Sequence, residues 1–327
     1  MTQSKLLKLV SVAVALLVLA FVLLTAHPRE IWENLRGVDA GLLVLVALLN
    51  LPVCALFTLR SWLVLKRMGH DVPGAVLLPA SVLGNVAGAL TPAASGEILR
   101  ATALQRSGGI ALSDALTMVA YERLVSTYLL VLSTIACVAL ASLSMVAGVA
   151  VAVVCVALTL VPWLAATLIL PRLPRADSIN GVGLVAQGMR YGLAMVDAVR
   201  VLLKDLRLLL TWSVPTLASF ALVALQFHLV ARAAGAHLSF VDAWTAFGGS
   251  GVAAIASLLP FGLGIGDGSM AAIFARTGIA LERGAAIVVL IRAAVTLPLV
   301  LLATLSYAYL SRRTFATPAQ PEAPSAG

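Results

Sequence analysis

Ala75–Arg106 reads AVLLPASVLGNVAGALTPAASGEILRATALQR, a stretch apolar enough for a bilayer but broken by Pro79, Gly84, Gly88, Pro92 and Gly96. A continuous helix fails at such positions, because proline removes a backbone donor and glycine weakens a helix interior. Irregular backbone at membrane depth survives only where it is buried in protein or lines a water-filled cavity. The stretch therefore reads as an interrupted or re-entrant helix pair. A second one, Asp242–Arg276, carries Gly248, Gly249, Gly251, Pro260, Gly262, Gly264, Gly266 and Gly268.

The rest of the chain fits the same solvent. Of 327 residues, 61% are hydrophobic and 11% charged, against roughly 25% charged in a soluble domain, and mean hydropathy is +1.05. A soluble enzyme, a nucleic-acid binder and a disordered regulator are all excluded on composition. A spanning helix needs about 20 mostly apolar residues. Six runs meet this: Lys8–Ala26, Gly41–Leu65, Leu112–Leu143, Met145–Leu170, Leu208–Ala231 and Gly284–Leu310. The first is longer than a signal-peptide core of about 7–15 residues and reads as an anchor.

The expected fold is an all-α polytopic membrane protein, a single integral domain over residues 1–310 with six full spans and two broken elements. Pro171–Arg207 is the one sizeable polar connection, and Leu193, Val196, Val199 and Leu203 recur in it at helical spacing. An interfacial amphipathic helix fits that pattern. The Pro/Ala tail at 311–327 is too poor in apolar side chains to build a core and is expected to be disordered.

Charge sets the orientation. Positive residues concentrate in cytoplasmic loops, and with an inside N-terminus 14 of the 22 Lys and Arg fall inside, 5 outside and 3 within spans. Both termini are thus expected in the cytoplasm, at the inner or plasma membrane. The same asymmetry accounts for the net charge of +8 without a nucleic-acid partner. Cys54, Cys137 and Cys155 lie in apolar runs and read as packing residues.

The two broken stretches resemble each other. Gly96-Glu97 with Arg106 recurs as Gly266-Asp267 with Arg276. Gly109-Ile110-Ala111-Leu112 followed by Arg123 recurs as Gly278-Ile279-Ala280-Leu281 followed by Arg292. The repeat elements run over about 75–123 and 242–292, at an offset of 170 and then 169 residues. Three full spans separate the copies, so the second enters from the opposite side. Such inverted repeats build many secondary transporters, whose sites lie where helices are interrupted near the midplane.

Charges inside spans need a reason, since each costs at least roughly 2.5–3.5 kcal/mol at the bilayer centre. Arg123 lies roughly 16 Å into its span at 1.5 Å per residue. Its neighbour Glu122 points about 100° away, so each needs a partner elsewhere in the bundle or on a ligand. Arg292 repeats Arg123. Arg60, near a span end, either snorkels to the interface or belongs to the polar pathway. Glu97 and Asp267 open helices after the breaks, where exposed N–H groups favour an acid. Ser95 is placed to cap the first, and Arg100 stands one turn on. Pro92, Gly96, Pro260, Gly262, Gly264 and Gly266 are the expected hinge and close-approach positions.

No Gly-Lys dipeptide, and so no Walker A loop, occurs, and neither His-Glu-x-x-His nor Gly-x-Ser-x-Gly is present. The four histidines are scattered. Neither a metal nor a cofactor is expected, nor is enzyme chemistry.

Thr91-Pro-Ala-Ala-Ser-Gly-Glu-Ile-Leu-Arg100, Tyr121-Glu-Arg123 and Pro260-Phe-Gly-Leu-Gly-Ile-Gly-Asp267 together resemble the lysylphosphatidylglycerol synthase transmembrane (flippase-like) family. The likeness runs from about Leu59 to Leu310. It implies a relative of the flippase half of the aminoacyl-phosphatidylglycerol synthase/flippase. The soluble aminoacyl-transferase domain of the bifunctional members is missing, so this chain is not expected to make aminoacyl lipids. The family pattern ends the second motif in Glu, and Asp267 is one methylene shorter. The expected function is translocation of a phosphate-bearing phospholipid or glycolipid head group past Glu97, Arg100, Glu122, Arg123, Asp267, Arg292 and Arg60. The alternative is a non-transporting scaffold for a lipid- or glycan-synthesising enzyme.

Overall fold

The structure, a computed structural model, describes residues 37–90, 96–169, 184–257 and 264–316. Among these every regular element is helical. Five helices are long and apolar enough to cross a bilayer: Ala40–Arg67, Leu112–Ser142, Met145–Ile169, Leu206–Ala233 and Leu281–Arg312. They match five of the six expected spans. The sixth, Lys8–Ala26, lies outside the described residues, as do Pro92, Ser95, Pro260, Gly262 and the tail after Ala316.

The first described span comprises α1 (Ala40–Leu48) and α2 (Asn50–Arg67). It breaks at Leu49 because Pro52, in the first turn of α2, has no N–H for the carbonyl four residues back. Asp39 caps α1, accepting from the Leu42 N–H at 3.1 Å. α3 (Gly74–Leu90) and α4 (Glu97–Gly108) form the first broken pair and pack on each other. The long span α5 (Leu112–Ser142) follows, then α6 (Met145–Leu158) with a short continuation, α7 (Val161–Leu164). α5 and α6 touch backbone to backbone at Gly148, where an added Cβ would sit 3.0 Å from the Ala139 carbonyl oxygen. Little of the Met145–Ile169 span is covered by protein, so it lies at the periphery.

α8 (Leu184–Leu203) is the helix expected in the long connection. Val199, Leu202 and Leu203 are buried in the bundle, whereas Val196, expected on the same apolar face, is exposed. α9 (Leu206–Ala233) runs antiparallel to the first span and is tied to it at both ends. The Arg67 guanidinium donates to Asp205, which also caps α9, and at the other end the Asp39 N–H donates to the Ala233 carbonyl at 3.1 Å.

α10 (Phe240–Ser257) and α11 (Ile265–Arg276) form the second broken pair, again packed on each other. The last span runs through α12 (Leu281–Ile291), a π-helical stretch Arg292–Thr296, and α13 (Leu297–Ala316). The π stretch sits where Pro298 denies the Ala294 carbonyl its α-helical donor. Asn50 supplies one instead, its Nδ2 lying 3.4 Å from that oxygen. Gln226 braces the same point, donating to Asn50 Oδ1 at 3.2 Å and to the Val46 carbonyl at 2.9 Å.

Each broken pair has its own apolar core. Trp212, Tyr121, Leu104, Met118 and Leu77 centre one, around α3, α4 and α5. Phe274, Phe227, Met270 and Ile287 centre the other, around α10, α11 and α12. The architecture is thus two helical clusters, each built on an interrupted helix pair.

Candidate functional site

Glu97 and Arg100 occupy the first and second turns of α4, three residues apart and so on one face. Glu122 and Arg123 are consecutive on α5, and their side chains diverge. The result is two parallel ion pairs between the helices: Arg123 with Glu97, and Arg100 with Glu122, the latter at 2.7 Å. The second broken pair repeats the first of these. Arg292 donates to Asp267 through Nη2 at 2.6 Å and Nε at 3.0 Å. An acid in the first helical turn after the break meets an arginine on the following span in both halves. The two pairs span 26 and 25 residues.

The pairs differ in surroundings. Arg123 is 42% exposed and Glu97 9%, while Arg292 and Asp267 are each 20% exposed. Neither pair is sealed. Arg100 and Glu122, at 2% and 6%, are shut into the protein. Arg100 was expected beside a polar passage. Its guanidinium instead donates to Ser61, which receives a second bond from Ser81 at 3.2 Å. Ser61 and Ser81 are both wholly buried, and the bond from Arg100 ties α4 to α2 at this point.

Arg60 does not snorkel. It is buried, with its guanidinium 4.6 Å from the Phe57 ring centre and 5.4 Å from that of Trp212. Trp212 in turn packs edge-on against Tyr121 at 5.6 Å. No carboxylate among the described residues reaches Arg60, and its Nε has no hydrogen-bond partner. Around the first broken pair, among the described residues, three arginines thus face two glutamates. Arg100 Nε, Glu122 Oε1 and the Tyr121 hydroxyl also lack partners there.

The glycines of α3 have a concrete purpose. A Cβ on Gly84 would lie 2.5 Å from Arg100 Cβ, and one on Gly88 would lie 2.7 Å from Glu97 Cγ and 2.8 Å from Arg123 Nη2. These two positions let α3 close over the charges. Gly88→Ala is expected to cost about 1–3 kcal/mol, the usual penalty of overpacking. Gly74→Ala, with nothing within 4 Å of the added methyl, should be nearly neutral. Denaturant titration in detergent distinguishes the two.

Among the expected hinge positions, Gly264 is required by its backbone, with φ +81°, rather than by close approach, since nothing lies within 4 Å of an added Cβ. Its N–H donates to Asp267 at 3.4 Å, so Asp267 both caps α11 and holds Arg292. Gly266 meets only ordinary contacts, at 3.4 Å from the Ser250 carbonyl. Gly96 stands at the N-cap of α4, without a side-chain cap bond. Ser61 and Trp212 were not singled out in the sequence, and Gly84 and Gly88, read there as breaks, lie inside α3 and serve close approach instead. The four-residue glycine spacing and a serine beside Arg60 are the signals that mark them.

Among the described residues, no group of three or more His, Cys, Asp or Glu side chains could hold a metal ion. No curated protein matches the chain. The family described as the lysylphosphatidylglycerol synthase TM region matches residues 8–303, taking in both broken pairs and all three ion pairs. This chain, an integral membrane protein by its spans, belongs to that family.

Proposed function

We propose that the protein moves a polar, phosphate-bearing lipid head group between leaflets, past ionised pairs held at the two broken helix pairs. The observation that carries this reading is the repeated, incompletely covered pair: Glu97 with Arg123, and Asp267 with Arg292. Ionised groups are expensive in hydrocarbon, and those kept within spans mark substrate pathways. Their recurrence at matching places in both repeats is what a two-sided passage requires.

In this reading the halves are inverted, with both termini cytoplasmic. The first pair opens to the inner leaflet and the second to the outer. The arginines bind phosphate by parallel N–H donation, which suits a planar guanidinium. While unoccupied, each arginine rests on its carboxylate. A phosphate entering the site displaces that carboxylate, and the freed acid holds a cationic head-group moiety or takes a proton. Arg60, the third arginine there, biases the first site toward an anion. The acyl chains stay in lipid throughout.

The test is reconstitution of the full chain into liposomes carrying head-group-labelled phospholipids of several classes. Transbilayer movement of at least one class well above the protein-free rate is expected. Rates equal to those of empty vesicles for every class, with and without ion gradients, would remove the proposal.

A further inference from the structure

Away from the charge pairs, the end of the first span and the start of α9 enclose an open groove of about 450 Å³. Trp62, Leu63 and Leu208 give it apolar surface, and Lys66, Arg67, Arg207 and Asp205 line it with charge. Three cations thus face one carboxylate. Arg67 is already committed to Asp205, and its hydrogen bond holds that carboxyl below the usual carboxylate range. Lys66 stands 4.4 Å from the Trp62 ring centre. Lys66 and Arg207 are exposed, and neither is paired with a carboxylate among the described residues.

The position narrows the occupant. Both walls are ends of bilayer-crossing helices, on the face that receives the long basic connection. Two tryptophans sit at this level: Trp62 in the groove, and Trp163, whose indole N–H donates to the Lys204 carbonyl at 3.1 Å. Tryptophan collects at the head-group level of a bilayer, and basic pockets between helices on the cytoplasmic side bind anionic lipid heads. A soluble anion would use the cations alone and leave the apolar surface unused. A lipid would use both.

We propose that this groove holds the head of an anionic phospholipid, with the phosphodiester between Lys66 and Arg207 and the first acyl methylenes against Trp62 and Leu208. The site is separate from the charge pairs of the broken helices and does not rest on their role. It ties the protein to a leaflet rich in anionic lipid and braces the Arg67–Asp205 contact.

Native mass spectrometry of the purified full chain, exchanged with phosphatidylglycerol or phosphatidylcholine, tests it. The wild type is expected to retain phosphatidylglycerol preferentially. Lys66→Gln with Arg207→Gln should reduce that preference by about tenfold or more, the scale for losing two charge-assisted contacts. Lys66→Arg with Arg207→Lys, which keeps the charge, should preserve it. Equal retention of the two lipids by the wild type, or an unchanged preference in the Gln variant, would overturn the proposal. So would displacement of bound phosphatidylglycerol by glycerol phosphate at equal concentration, which would show that the apolar surface contributes nothing.

Discussion

Arg123→Gln is expected to lower transbilayer lipid movement by about 10- to 100-fold, the scale set by roughly 1.5–3 kcal/mol for a hydrogen bond to a charged group. The chain should remain folded, because Arg123 is 42% exposed and its partner Glu97 sits in a first helical turn that stabilises an acid. The decisive control is the double variant Glu97→Gln with Arg123→Gln, which removes both charges and leaves no orphan. If the pair were only a structural bridge, this variant would recover activity. If the arginine handles the head group, it stays inactive. Size-exclusion profiles and transport rates, measured on the same preparations, separate the outcomes.

Arg100→Met alone is expected to cost about 3–5 kcal/mol of stability, because it takes from the buried Glu122 carboxyl its direct partner in a closed interior. Adding Glu122→Ile should recover most of that loss. The second half of the chain supplies the precedent. At the repeat offsets, Arg100 and Glu122 correspond to Met270 and Ile291, both buried in the second apolar core. One half holds an ion pair where the other holds two hydrophobic side chains, and isolated buried pairs are commonly replaceable in this way. Denaturant titration in detergent reads the stabilities. A double variant as unstable as Arg100→Met would show that the bonds to Ser61 and the surrounding network, rather than the pair itself, carry the cost.

Much of this was legible in the residues. Runs such as Leu112–Ser142 announce themselves because a bilayer demands length and apolarity and little else. Of the positions read as breaks, Pro79, Gly84 and Gly88 lie inside α3 and Gly248, Gly249 and Gly251 inside α10, because a glycine or proline packed against neighbouring helices does not end a helix as periodicity alone suggests. The charges within spans were legible because nothing cheap explains them, whereas the pairing of Arg292 with Asp267 emerges only from the fold.

The partners were less visible. Arg100 and Arg123 look alike in sequence, yet one is sealed and the other half open. The difference depends on how α3 crosses α4, which Gly84 and Gly88 permit and no periodicity reveals. Arg60 lay near enough to a span end to reach water, but Phe57 and Trp212 hold it inside. Val196 has the right spacing for the buried face of α8 and still faces outward, since burial there depends on what α8 packs against. The Asn50–Gln226 brace joins residues 176 apart, and such a pairing exists only once the spans are assembled.

In the proposed function, polar cargo passes the two incompletely covered pairs. The most direct test is lipid movement in liposomes reconstituted with equal amounts of wild type or of the variant combining Arg123→Gln and Arg292→Gln. The wild type should move a labelled phospholipid well above the protein-free rate, and the folded variant should fall to that rate. A folded variant as fast as the wild type would show that lipid does not pass these arginines.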